Sequence, residues 1–474
     1  MKRNFFLAII LILVSAKVFS QHTKVKEPAQ AIAPIPMSQP AKVLAGPMLG
    51  YMEHREALIW IQTICCKKIT LQYSALATPK LKTEISITNP DDSICKQAFI
   101  AKFIPTNLTM GTTYEYKILL DGKEQKFSYP LKFKTKYLWE WRTDPPEFSF
   151  LTGSCNYVND STYDRPGKPY GQGTSMFWRM ADVPADFMLW LGDNAYLREA
   201  DYSTENGIAY RYRHTRSDKN LQKLLAVKNN YAIWDDHDYG DNNSGKGFPM
   251  KETSYKNFKE YWGNKMYGEN NEGIYSMFCY SDADFILLDN RWWRDETDLN
   301  EEKNPNKTQL GEKQMQWFLF QLAHSKATFK FVCIGGQFLN EHTNKESFNL
   351  FKNERQRIID FIIANKISGV IFISGDRHLT EMLEYNKRKT DLGYSLFELT
   401  SSALSSSPEM IADTAEEFNN PMRIKNSLVM ENNYCVVSLT GKKGMRKVKF
   451  SCFDKDGAQK WEYEIGEEQL KALK

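Results

Sequence analysis

The amino-acid sequence predicts a layered α/β domain preceded by a small β-sandwich, and three observations predict it. Between Leu44 and Phe133, short alternating apolar runs are separated by turn signals, as in a sandwich. From Pro145 onward, compact aliphatic and aromatic runs alternate with amphipathic helical stretches, as in a layered α/β unit. The chain has 474 residues, of which 42% are apolar, enough for more than one packed core.

The chain opens on Lys2 and Arg3, then an apolar run over 5–14, then Val18-Phe19-Ser20, which resembles a cleavage site. The run is short for a bilayer span and predicts a removable signal peptide over 1–20. A Pro- and Ala-rich stretch reads as a linker over 21–43. Export places the mature chain, without a membrane span, in the periplasm or outside the cell, where disulfides persist. Eight cysteines are scattered; Cys65 or Cys66 could pair with Cys95, and Cys435 with Cys452.

Runs at 57–63, 69–73, 83–87, 97–103, 114–120 and 125–133 fill a sandwich over 44–138, divided by turns such as Asn89-Pro90-Asp91 and Asp121-Gly122. Leu108-Thr109-Met110-Gly111-Thr112-Thr113-Tyr114-Glu115-Tyr116 resembles the corner of fibronectin type III domains. That resemblance implies a fibronectin III-like β-sandwich whose Tyr packs inward and hydrogen-bonds back to the loop. The α/β domain follows over 145–470, with strands at 148–152, 187–191, 231–234, 285–289, 329–334 and 370–373. Helices are expected at 309–324 and 353–365, and strand-like runs from 394 to 465 complete the sheets.

The net charge of +4 gives no strong field, and no dense Lys/Arg block is present, which argues against a nucleic-acid partner. The chemistry lies at strand ends. Successive strands run into Gly153-Ser154-Cys155-Asn156, Gly192-Asp193-Asn194-Ala195-Tyr196, Asp235-Asp236-His237-Asp238, Asp289-Asn290-Arg291 and Ser374-Gly375-Asp376-Arg377-His378. Sites in α/β domains gather at the carboxyl ends of strands, so these loops are expected to converge. Asp193, Asp236 and Asp376 offer hard oxygen ligands, whereas Cys155, Tyr196 and His378 offer a thiolate, a phenolate and an imidazole. Such a mixed set suggests two unlike metals, a transition metal at the Cys/Tyr/His end and a hard cation such as Ca²⁺ among the carboxylates. A phenolate needs a strong Lewis acid, which points to Fe³⁺. His214 and His342 are read as structural.

GDNAY resembles the GDxxY motif of purple acid phosphatases, and the set GSC, GDxxY, WDDHD and SGDxH resembles the PhoD-like alkaline phosphatases of the metallophosphoesterase superfamily. The resemblance implies an αββα sandwich behind an N-terminal β-sandwich, a pairing of Fe³⁺ with Ca²⁺, and phosphoric ester hydrolysis. By position it implies that Cys155, Tyr196 and His378 bind iron and that Asp193 bridges. Asp236 would bind the second metal with Asp376 and Asn242 beside it, His237 would lie near the leaving group, and Arg291 and Arg294 would hold phosphate oxygens. The start departs from the family type: it carries Lys2-Arg3 and no twin-Arg motif.

The expected reaction is direct hydrolysis of a phosphate ester by a metal-activated water, with His237 giving a proton to the departing alkoxide. The expected substrate is a small-molecule, lipid or polymer phosphate ester, and the chain is expected to be a monomer. Two alternatives stand beside this: a phosphodiesterase using the same site, and a non-catalytic metal-binding surface protein.

Overall fold

Runs that are apolar on both faces fold as buried parallel strands, and in the computed structural model they make the middle of two facing sheets. The structure describes residues 40–91, 95–342, 347–408 and 415–473. The expected signal peptide lies outside them, as does nearly all of the expected linker.

Among the described residues, one sheet has nine strands. Its parallel centre is Phe148–Gly153, Phe187–Leu191 and Asn229–Ile233. The C-terminal strands Asn433–Thr440, Lys447–Asp454 and Gln459–Gly466 extend it on one side by antiparallel pairing. The facing sheet has six strands, with Ala283–Leu287, Phe329–Ile334, Val370–Ser374 and Leu396–Thr400 parallel and Ser276–Tyr280 and Glu381–Tyr385 at its edges. Phe150 of the first sheet meets Phe285 and Phe331 of the second edge to face, and Tyr231 stacks on Phe278. These contacts make the core an interdigitated aromatic layer between the sheets.

Helices fill the crossovers. Ser175–Asp182 and Lys219–Val227 pack together beside the nine-stranded sheet. Asp218 caps the second of these by accepting the Leu221 N–H at 2.9 Å. Gly311–His324 and Lys352–Ala364 connect the parallel strands of the six-stranded sheet, within a residue or two of their expected bounds.

The N-terminal region is a sandwich with its own core, but it is not cut off from the rest. Lys42–Met52, Ala57–Ile64 and Phe99–Phe103 continue the nine-stranded sheet, with Leu49 in parallel register with Asn229. The opposing sheet is built on Thr83–Thr88, Lys68–Ala75 and Thr113–Leu120. Between them lie Ile59, Ile61, Ile69, Leu71, Tyr116 and Ile118. The expected boundary at 138–145 therefore separates two cores and not two sheets, and the expected linker ends where the first strand starts, at Lys42. Tyr114 accepts the Thr109 N–H at 2.8 Å, the corner bond anticipated from the motif.

Two further expectations need correction. The expected strand at 125–133 is broken into Lys123–Glu124 and Lys132–Lys134, because Pro130 has no N–H for a ladder. Cys65 and Cys95 form a disulfide, whereas Cys435 and Cys452 are direct cross-strand neighbours sealed in the core as free thiols.

Candidate metal centre

The parallel strands all end on the same rim, and their loops are tied together there. The Cys155 N–H donates to the Gly192 carbonyl at 3.3 Å, and the Asn156 N–H to the Asp193 carbonyl at 2.8 Å. The Asp376 N–H donates to Ser154 Oγ at 3.2 Å. Asp238, buried and pushed up to about 7 by desolvation, accepts from the Asn194, Ala195 and Asp235 N–H groups. It thereby pins the loop of Asp193 to the loop of Asp236. Close approach also dictates glycine: a Cβ on Gly192, at φ +95°, would lie 2.6 Å from that of Asp235, and one on Gly375 2.6 Å from that of Ser154.

Four of the expected ligands sit in the left-handed region: Cys155 at φ 61°, Asp193 at 52°, Asp376 at 66° and His378 at 53°. Such backbone is costly for non-glycine residues and persists where the surroundings over-determine it, as at functional sites.

The side chains converge. Ligand atoms of Cys155, Asp193 and His378 lie within 4.8 Å of one another, as do those of Asp193, Asp236 and His237, and those of Asp235, Asp236 and Asp376. Asp193 belongs to the first two groups and Asp236 to the last two, so the donors form one continuous chain. The Tyr196 hydroxyl is 3.1 Å from His378 Nε2, and the Tyr196 ring stacks on His237 with centroids 4.3 Å apart. His378 Nδ1 lies 2.6 Å from the Ser407 carbonyl, which carries no proton, so Nδ1 donates and Nε2 keeps its lone pair toward Tyr196. Ser402 Oγ donates to Cys155 Sγ at 3.0 Å and accepts the His378 N–H at 3.0 Å.

The electrostatics fit a cation site. Burial, with the charges of Asp236 and Cys155 next, pushes Asp193 well above the usual carboxylate range. Burial, then the Asp193 charge, raises Tyr196 likewise, and burial, then Asp376, brings the Cys155 thiol to about 12. Asp236 goes the other way: burial would raise it, but His237 and Arg291 hold it low. At an effective dielectric of about 20, two like charges about 5 Å apart repel by about 3 kcal/mol. Several anionic donors can coexist here only with cations among them, and thiolate, phenolate, imidazole and carboxylate are the donor types of a mixed transition-metal and hard-cation centre.

Three expected site residues stand elsewhere. Arg291 is fully buried and ion-paired to Asp235, with Nε 2.6 Å from Oδ1, so it braces a carboxylate of the cluster and is not an open phosphate clamp. Arg294, also fully buried, lies over the Phe351 ring at 4.6 Å and donates to Thr297 Oγ1 at 3.3 Å. Asn242 is exposed; the adjacent Asn243 instead donates its backbone N–H to Asp236 at 2.7 Å. His214 bonds the Asn159 carbonyl, as a structural histidine does. Sequence reasoning passed over Asp235, although it stands in the same WDDHD run, because adjacent residues seldom serve one site. It also missed Tyr170, whose hydroxyl is 3.3 Å from His378 Nδ1.

Facing sheets, flanking helices and donors at the strand carboxyl ends define a metallophosphoesterase-like α/β sandwich. The chain belongs to the PhoD-like phosphatase family, whose model matches residues 151–450. It is 26% identical to alkaline phosphatase D of Bacillus subtilis (strain 168) over 315 residues, which cover 54% of this chain and 52% of that protein. The match thus spans about half of that relative's length. The fold is similar to the solved structure of PhoD, with TM-score 0.73, 17% identity and 91% of each chain covered. It is also similar to purple acid phosphatase PPD1 from yellow lupin (Lupinus luteus) seeds, with TM-score 0.61, 12% identity, and 89% of this chain and 74% of that one covered.

Proposed function

We propose that this chain is an exported, metal-dependent phosphoesterase acting on small-molecule, lipid or polymer phosphate esters. The observation that carries the reading is the unbroken chain of donors from Cys155 through Asp193 and Asp236 to Asp376. Cys155, Tyr196 and His378 would hold Fe³⁺, Asp193 would bridge, and Asp236 with Asp235 and Asp376 would hold a hard cation such as Ca²⁺. When bound, such cations neutralise phosphate oxygens and lower the pKa of a water. The chain's own residues do the rest. Asp238 and Ser402 fix the loops and the ligand orientations. Arg291 holds Asp235 in place. His237, the partly exposed imidazole of the cluster, delivers a proton to the departing alkoxide.

Export is supported by the Cys65–Cys95 disulfide, a feature of oxidising compartments. Among the described residues no helix is long and apolar enough to cross a membrane. The Tyr114 corner supports a fibronectin III-like type for the sandwich.

Hydrolysis of p-nitrophenyl phosphate and bis(p-nitrophenyl) phosphate by the metal-replete protein tests the reading and separates monoesterase from diesterase. A tyrosinate–Fe³⁺ absorption band that disappears in Tyr196→Phe is the expected companion. Metal-replete protein that hydrolyses neither ester would overturn the proposal, and a colourless, iron-free, active enzyme would overturn the iron assignment alone.

A further inference from the structure

A second cavity, of about 750 Å³, lies between the sandwich and the α/β layers. It sits at the amino ends of strands whose carboxyl ends carry the metal centre. Asp186 precedes Phe187–Leu191 and Asn229 opens Asn229–Ile233, and both line it. At about 3.3 Å per residue, such strands hold it roughly 15–20 Å from the metal-binding rim.

Its lining narrows the occupant. The volume falls in the range of small-molecule sites. Tyr137, Trp139, Tyr280 and Trp317 supply aromatic walls, and Tyr137 is 51% exposed. The charged groups of the wall satisfy one another: Lys136 Nζ donates to Glu53 at 3.0 Å and to the Cys279 carbonyl at 2.8 Å. Asp186 accepts from the Tyr280 hydroxyl and the Ser149 N–H, each at 3.1 Å. Glu147 accepts the Gly441 N–H at 2.8 Å. No charge is left to call for an ionic ligand except at the exposed rim.

The amides differ. Asn229 is only 8% exposed, yet its side chain makes no hydrogen bond to any described residue, and the same holds for Gln321. A buried amide without a partner is costly, so these groups are poised for a ligand with hydroxyl donors and acceptors. Aromatic faces combined with neutral amides suit a ring with an apolar face and a hydroxylated edge.

We propose that this cavity binds a neutral saccharide, its ring against the aromatic walls and its hydroxyls on Asn229 and Gln321. The proposal is independent of the phosphoesterase reading. Isothermal titration of the folded chain with maltotriose, cellotriose, mannotriose and triacetylchitotriose tests it. The expected result is binding of at least one, weakened about tenfold by Trp317→Ala and by Gln321→Ala. Saturating inorganic phosphate should not displace it, and phosphate ester hydrolysis should stay at the parent level. Gln321 is half-buried on a helix, so its variant keeps the test decisive should Trp317→Ala fail to fold. No binding of any of the four at millimolar concentration, unchanged binding in folded variants, or displacement by phosphate would each overturn the proposal.

Discussion

The sandwich core and the metal centre bury tyrosines to opposite ends. In the sandwich, Tyr114 stacks on Phe133 with centroids 5.1 Å apart, and its hydroxyl is satisfied by a local backbone N–H. At the metal centre, Tyr196 is equally buried, but its hydroxyl sits among Cys155, Asp193 and His378 on loops with left-handed backbone. The first arrangement stabilises by packing and one neutral hydrogen bond. The second gathers groups that repel one another when ionised. Stability and function are thus assigned to different tyrosines, and substitutions should separate them.

The largest separation is expected from Asp193→Asn. It should lower kcat/KM on the order of a thousandfold, about 4 kcal/mol of barrier, while a thermal melt of the metal-free variant stays at or above that of the parent. The direction follows from the neutral amide relieving a buried acid that its neighbours disfavour in the ionised form. Arg291→Met should blur the contrast, because it strands Asp235 buried and unpaired. A loss of about 3–4 kcal/mol in urea unfolding is expected, together with loss of activity. Cys95→Ser should cost about 3 kcal/mol of stability by freeing the loop that the disulfide closes, with activity per folded molecule retained. Tyr114→Phe should cost about 1 kcal/mol and leave activity untouched.

Much of this was legible in the sequence, for physical reasons. Apolar runs and helical periodicity are local, so Phe187–Leu191, Phe329–Ile334 and Gly311–His324 could be read almost to the residue. Donors at strand ends could be read because parallel sheets gather carboxyl ends. Long-range pairing could not. Nothing near Lys42–Met52, with its Gly46-Pro47 and Gly50, says that it joins the catalytic sheet beside Asn229–Ile233. Nothing in LDNRWWR says that Arg291 is spoken for by Asp235, 56 positions earlier in the chain. Asn242 and Asn243 differ only in which one the turn presents to Asp236. The left-handed backbone at Cys155, Asp193, Asp376 and His378 has no sequence mark either, since none is glycine.

One carboxylate, Asp193, joins the thiol and imidazole side of the centre to the acidic side, and an anomalous-scattering map of metal-loaded crystals tests this most directly. The expected map has two peaks about 4 Å apart flanking the Asp193 carboxylate, one within bonding distance of Cys155 Sγ and the other of Asp236. Density for metal remote from Asp193, or a fully active crystal with no peak beside it, would contradict it.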